Sequence, residues 1–184
     1  VRVLGKNAAI KRAGLLTGKA KEALKILDTA YSSGINFYDS SDKYGDGEAE
    51  RLLGEAFYKV RDNVILATKC GITSEGSRRF DKEYIKACLD RSLKNLRTDC
   101  VDVFQLTKPN IGLIRSGEIY EIFDELKKNG LIRFSGVSTG IDEETIQLIS
   151  DNKVDTLQVF YNLLHVSPNK AFIGKAFNNQ IGLI

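Results

Sequence analysis

Short, dense apolar runs alternate along this chain with longer stretches in which apolar residues recur every three or four positions. The dense runs are Ile35–Asp39, Val64–Lys69, Val101–Thr107, Ile132–Ser138, Thr156–Tyr161 and Ile181–Ile184. Several are apolar on both parities, as strands covered on both faces should be. The pattern predicts strands there, and Val1–Leu4 offers one more short apolar element at the front. Between the runs the period changes to that of amphipathic helices. Thr17 can cap a helix carrying Ala20, Ala23, Leu24, Leu27 and Tyr31 on one face, stopped by Gly34. A second helix is predicted over Glu48–Val60, with Leu52, Leu53, Ala56 and Phe57 facing inward. Asp81 caps a third, which presents Tyr84, Ile85, Cys88, Leu89 and Leu96. Ser116 is placed to cap a fourth with Ile119, Ile122, Phe123 and Leu126, closed by Gly130. A fifth spans Asp142–Asp151, and Ser167-Pro168 starts a sixth with proline at its first helical position.

Strands that alternate with single helices are the mark of repeated βα units and a parallel sheet. No turn-rich linker or shift in composition interrupts the series, so residues 1–184 read as one domain. An open doubly wound sheet and a β/α barrel both fit this alternation. No G-x-G-x-x-G follows any strand, which removes the dinucleotide fingerprint of the open sheet and favours the barrel.

The 184 residues are 42% hydrophobic, enough for one substantial core. Net charge is +3, with Lys and Arg interleaved among Asp and Glu. No basic patch of the kind that holds nucleic acid or a membrane surface is visible, so neither partner is expected. The longest apolar runs, such as Val64-Ile65-Leu66-Ala67, are far too short to span a bilayer. No charged n-region followed by an apolar h-region opens the sequence, and a cytoplasmic protein is expected. Cys70, Cys88 and Cys100 lack metal-ligand spacing and read as buried reduced thiols. His165 alone cannot build a metal site, so no metal is expected and a structural or exposed role suits it. The sequence contains no methionine, even at position 1, and its last residues read as a strand rather than a frayed tail. Both features lead us to expect a longer encoded chain.

Candidate chemistry lies at the strand ends. In a β/α barrel the C-terminal strand ends converge on one mouth. Here those ends are Asp39, Lys69, Thr107, Ser138 and Gln158. Desolvating a lysine and an aspartate is expensive unless they pair; the bland alternative is that polar residues mark where strands leave for solvent. Tyr44 follows Asp39 within a loop short enough to return its phenol to Asp39 and Lys69. An ammonium within about 4–6 Å favours phenolate and lowers the phenol pKa. Such a phenol can protonate a carbonyl oxygen as a general acid; otherwise Tyr44 is a loop-packing aromatic.

These residues carry a resemblance. Gly34-Ile35-Asn36-Phe37-Tyr38-Asp39-Ser40-Ser41-Asp42-Lys43-Tyr44-Gly45, followed by Gly47-Glu48-Ala49-Glu50-Arg51-Leu52-Leu53-Gly54, resembles the aldo-keto reductase signature around its catalytic aspartate and tyrosine. Val64-Ile65-Leu66-Ala67-Thr68-Lys69 looks like the strand that ends in the catalytic lysine of that family. Val101-Asp102-Val103-Phe104-Gln105-Leu106 is similar to the strand before its catalytic histidine. Phe134-Ser135-Gly136-Val137-Ser138 and Leu157-Gln158-Val159-Phe160-Tyr161-Asn162 are similar to the next two strands. The likeness runs from about Leu24 to Ile184. It implies a (β/α)8 TIM-type barrel, of which this chain reaches about the seventh strand. It further implies NADP(H), in some members NAD(H), and hydride transfer to or from a small carbonyl or alcohol. Asp39, Tyr44 and Lys69 carry over as catalytic residues, with Tyr44 the proton donor. Ser138 and Gln158 carry over as contacts to the nicotinamide carboxamide.

Three departures accompany the likeness. Thr107 stands where the histidine belongs, and a hydroxyl can donate a hydrogen bond but cannot become a cation. Thr139 takes the place of an asparagine that also contacts the cofactor. The strand and loops that supply the stacking aromatic and adenosine-phosphate contacts lie beyond this sequence. The leading expectation is therefore an active oxidoreductase of this type, with a sugar or other small carbonyl compound as substrate. The alternative is a cofactor-binding or regulatory relative with little turnover, because of Thr107; a structural role without cofactor is a third. The sequence does not specify an oligomeric state.

Overall fold

The computed structural model describes residues 20–140, 143–160 and 170–184. Helix α1 (Ala20–Ser32) leads into β1 (Phe37–Asp39), and α2 (Glu48–Phe57) runs through a 3-10 segment (Tyr58–Asn63) into β2 (Ile65–Cys70). Then come α3 (Lys82–Leu96), β3 (Val101–Thr107), α4 (Ile111–Ser116), α5 (Glu118–Lys128) and β4 (Ile132–Ser138). The series closes with α6 (Glu143–Asp151), β5 (Thr156–Gln158), α7 (Lys170–Asn178) and β6 (Gly182–Leu183). The six strands form one sheet in the order β1-β2-β3-β4-β5-β6, every neighbouring pair parallel. A sheet that advances one neighbour per helix is wound as a β/α barrel is, and these are six consecutive strands of a partial (β/α)8 barrel.

Alternation along the strands explains why both parities are apolar. Leu66, Phe104, Leu106, Val137 and Leu157 join Ile85, Leu89, Ile122, Phe123 and Leu148 in the main core between sheet and helices. Phe37, Ala67 and Val103 form a separate small cluster, with Ile65 and Ile184 packed on it. Ala67 is in register with Val103 and Phe37 with Ile65, and these residues line the inner face. Gly54 lets α2 meet the end of α3, because a Cβ there would stand 2.3 Å from the Asn95 carbonyl oxygen.

The helices that feed β1, β4 and β6 end alike. At α1 the Gly34 N–H bonds the Tyr31 carbonyl and the Ile35 N–H bonds Ala30, with Gly34 at φ 83°. Gly130 and Leu131 repeat the pattern on Lys127 and Leu126, and Gln180 and Ile181 on Phe177 and Ala176. This closure engages the N–H of Ile35, so β1 starts at Phe37 rather than at Ile35.

Other boundaries also differ from expectation. The helix predicted over Glu48–Val60 stops at Phe57, and Val60 breaks the following segment at φ −128°, ψ 27°. Asp81 does cap α3, accepting from the Tyr84 N–H at 3.1 Å. Ser116 does not head the fourth predicted helix; it ends α4, an element absent from the hydropathy pattern and capped by Asn110. Gly117, at φ 82°, then starts α5 without a side-chain cap. β5 ends at Gln158, short of the predicted Tyr161. Cys70 and Cys88 are free and buried as expected, whereas Cys100 is only half-buried. Val1–Leu4, Thr17, Asp142, Tyr161, Asn162, His165 and Ser167-Pro168 lie outside the described residues.

Candidate active site

Asp39 and Lys69 stand at the C-terminal ends of β1 and β2. The Lys69 ammonium donates to both Asp39 carboxylate oxygens, at 2.9 and 2.8 Å, and to the Ser40 carbonyl at 2.6 Å. The pair is largely desolvated, with side-chain exposure of 6% for Lys69 and 18% for Asp39. Breaking such a pair by removing one partner is far costlier than the pair is stabilising, because the survivor keeps a buried charge.

The loop after β1 explains how Tyr44 reaches this pair. The Ser40 N–H bonds Ala67, the Asp42 N–H bonds the Lys69 carbonyl, and the Ser41 hydroxyl donates to the same carbonyl at 3.1 Å. So fastened to the end of β2, the chain turns through Tyr44 N–H to the Ser41 carbonyl. Gly45, Asp46 and Gly47 follow with φ of 63°, 53° and 83°, a left-handed run that glycine tolerates at two of its three positions. The result places the Lys69 nitrogen 5.1 Å from the centre of the Tyr44 ring, over its face. Burial, and then the Asp39 charge, raise the Tyr44 pKa. The expected lowering by Lys69 does not occur, since Asp39 answers the ammonium charge and the phenol is partly desolvated.

Thr107, Ser138 and Gln158 form a row on the inner face, for Thr107 is in register with Ser138 and Ser138 with Gln158. All three are half-buried. Thr139 differs: it is buried, lies one residue past β4, and its N–H donates to the Gln158 carbonyl at 2.9 Å. The strand ends thus bring Asp39, Tyr44 and Lys69 into contact, set Thr107, Ser138 and Gln158 beside them, and leave Thr139 as a backbone tie.

One polar residue of this region escaped the sequence reading. Gln105 is fully buried on the inner face of β3, and its Nε2 donates to Asp39 Oδ1 at 3.4 Å. Its parity, shared with Thr107, was the available signal. Behind the tyrosine loop lies a second buried polar group. Glu50 accepts from the Thr68 hydroxyl at 2.6 Å and from Asn95 at 3.0 Å. Burial raises the Asp42 pKa, and one of its carboxylate oxygens has no partner among the described residues. The described residues contain no group of three or more His, Cys, Asp or Glu able to hold a metal ion. No described helix is long and apolar enough to cross a membrane.

Comparisons with known proteins agree with this fold. The model of the aldo/keto reductase family matches residues 12–184. The uncharacterized oxidoreductase YqkF of Bacillus subtilis is 33% identical over 156 residues, which are 81% of this chain and 50% of YqkF. A 6-dehydroglucose reductase of Novosphingobium aromaticivorans is 35% identical over 126 residues, 64% of this chain and 41% of that protein. This chain thus spans about half the length of the curated relatives it matches. The holo form of aldo-keto reductase AKR11C1 from Bacillus halodurans superposes with a TM-score of 0.80 at 30% identity, covering 90% of this chain and 56% of that one. On the family match and the shared barrel, this chain belongs to the aldo/keto reductase family.

Proposed function

We propose that this chain carries the catalytic part of an NADP(H)-dependent oxidoreductase acting on a small carbonyl compound or alcohol, with NAD(H) as the alternative cofactor. The observation that carries the reading is the buried Asp39–Lys69 pair packed against the Tyr44 ring at the strand ends. The nicotinamide group supplies or accepts hydride when bound. Ser138 and Gln158 suit its carboxamide, because a hydroxyl and a side-chain amide together offer the donors and acceptors it needs. Thr139 contributes through its backbone.

In the reducing direction Tyr44 donates its proton to the substrate carbonyl oxygen. Its raised pKa keeps the phenol protonated through the neutral range. Lys69, fixed by Asp39 and the Ser40 carbonyl, faces the ring whose oxygen gains negative charge as the proton leaves. That fixed charge stabilises the transition state without reorganisation at the moment of reaction. The Thr107 hydroxyl offers a second hydrogen bond to the carbonyl oxygen. A sugar-like substrate is supported by the likeness to the 6-dehydroglucose reductase, and a cytoplasmic setting belongs to the same reading.

Tyr44→Phe tests the reading. It should abolish hydride transfer and leave NADPH affinity nearly intact, since the phenol acts in the transition state. Wild-type turnover in Tyr44→Phe would reject this mechanism, and failure of the complete protein to bind either nicotinamide cofactor would reject the reading. A second reading, a cofactor-binding or regulatory protein with little turnover, is favoured by Thr107, whose hydroxyl cannot become a cation.

A further inference from the structure

Gln105 is in register with Lys69 on one side and Gly136 on the other. Physically it is an odd occupant. It is fully buried on the inner face, directly next to the apolar layer of Phe37, Ala67 and Val103. Among the described residues its Oε1 has no hydrogen-bond partner, and its Nε2 makes only the 3.4 Å contact to Asp39 Oδ1. Reversing the amide would set its carbonyl oxygen against the carboxylate, so the orientation is chemically determined. Gly136 makes room for it: a Cβ there would stand 3.0 Å from Gln105 Cγ and 2.2 Å from Thr156 Oγ1. A buried acceptor left unpaired is destabilising, and an apolar side chain of similar shape would do better for the fold. Residues that lower stability in this way concentrate at functional sites.

We infer that Gln105 is a positioning residue for the proposed proton transfer. Asp39 Oδ1 accepts from both Lys69 and Gln105, whereas Oδ2 accepts from Lys69. The amide N–H therefore fixes the rotation of the carboxylate plane, and through it the place where Lys69 stands against the Tyr44 ring. Gln105 lies a layer below Thr107 and the mouth, too buried to touch substrate. Its kinetic consequence rests on the oxidoreductase reading; its effect on the ion pair does not.

The test compares wild type, Gln105→Met and Gln105→Glu in the whole encoded protein. Methionine nearly conserves volume and makes no strong hydrogen bond. Gln105→Met should keep or raise the unfolding midpoint while kcat falls roughly ten- to a hundred-fold, the scale of one hydrogen bond to a charged group. KM for NADPH should be unchanged. In Gln105→Glu the introduced carboxyl faces Asp39 from β1 and lies in register with Lys69 from β2, with the Tyr44 ring on Lys69, while Gly136 and Thr156 bring no charge from β4 and β5. Protonated, that carboxyl can donate to Asp39 as the amide does; ionised, it repels it. Activity should accordingly recover towards acid pH and disappear as pH rises, a profile the wild type lacks. The 1H–15N resonance of the Lys69 ammonium reports the ion pair without turnover, and it should broaden in Gln105→Met. Wild-type kcat with an unchanged Lys69 resonance overturns the proposal, as does a loss of activity that merely parallels a loss of stability. If the wild type transfers no hydride to or from a carbonyl compound or alcohol with either nicotinamide cofactor, the oxidoreductase reading fails, and the Lys69 resonance alone decides the positioning role.

Discussion

A hydroxyl and an imidazole at the end of the same strand offer a carbonyl oxygen different things. Thr107 can donate one short-reach hydrogen bond, whereas an imidazole reaches further and can carry positive charge. Thr107→His should therefore raise carbonyl reduction by roughly ten- to a thousand-fold if the hydroxyl is the handicap, the range for one positioned polar group. Steady-state kcat/KM decides this, and no gain in a protein that already turns over would show that Thr107 belongs to a different working arrangement. Gln158→Ala should instead weaken NADPH binding by about 1 kcal/mol, the size of one ordinary hydrogen bond, measurable by cofactor fluorescence titration. At this scale the sequence was most informative at strand ends. Asp39, Lys69, Thr107, Ser138 and Gln158 each follow an apolar run, and topology alone carries them to one end of the sheet. Gln105 was hidden because it sits inside a run, where one polar residue looks like an interruption. The direction of the Tyr44 pKa was hidden too, since burial and the Asp39 charge are three-dimensional quantities.

Elements were legible wherever a local signal stood alone. β3 and β4 have the predicted bounds, and Asp81 caps α3, because each follows from a dense run or a cap-plus-period pattern. The misreadings occur where two signals compete within a few residues. Asn110, Ser116 and Gly117 all resemble helix punctuation, and the chain uses Asn110 to start α4 and Gly117 to separate it from α5. The 3-10 segment after α2 likewise has no periodic signature, yet one side chain gives it a fixed place. Arg61 donates to the carbonyls of Val64 and Cys100 at 2.9 and 2.8 Å, to the Thr98 hydroxyl at 3.0 Å and to Asp102 at 2.6 Å. Asp102 is 3% exposed and also pairs with Arg133 at 3.0 Å and accepts from the Leu66 N–H. Arg61→Ala would leave a buried carboxylate with a mostly exposed partner. We expect a loss of about 3 kcal/mol in urea unfolding, the scale for removing one member of a buried ion pair. A change below about 0.5 kcal/mol, the range of an ordinary surface substitution, would mean that Arg133 compensates fully.

For the molecule as a whole, the barrel winding was foreseeable from alternation, but its response to pH depends on which side chains are buried together. Tyr38 is pushed up to about 12, by burial and then by Tyr31. Tyr44 is raised by burial and Asp39, Tyr84 by burial and its Cys88 hydrogen bond, and Tyr120 by burial and its hydrogen bond to Asp151. In each case the folded state favours the neutral phenol. That preference contributes fully below the ordinary tyrosine pKa of 10.0 and is lost as pH rises through the folded values. On the acid side, burial raises Asp155 but its bonds to Lys127 and Ser135 outweigh it, leaving the pKa lowered. Asp155 therefore stabilises the fold above the ordinary 3.8 and ceases to do so as pH falls through its folded value. Asp42, raised mainly by burial, has the opposite sign: its ionisation costs stability as pH rises. The urea midpoint should thus decline once pH passes about 10, the onset of phenol ionisation in the unfolded chain. Asp42→Asn should raise the midpoint at neutral pH, and this advantage should vanish below about pH 4, where the wild-type carboxyl is already protonated in both states. A midpoint that stays level through the alkaline range would show that the four phenols titrate alike in folded and unfolded chains. An Asp42→Asn advantage that persists in acid would trace instead to packing, because a charge that is no longer present cannot be what the substitution removed.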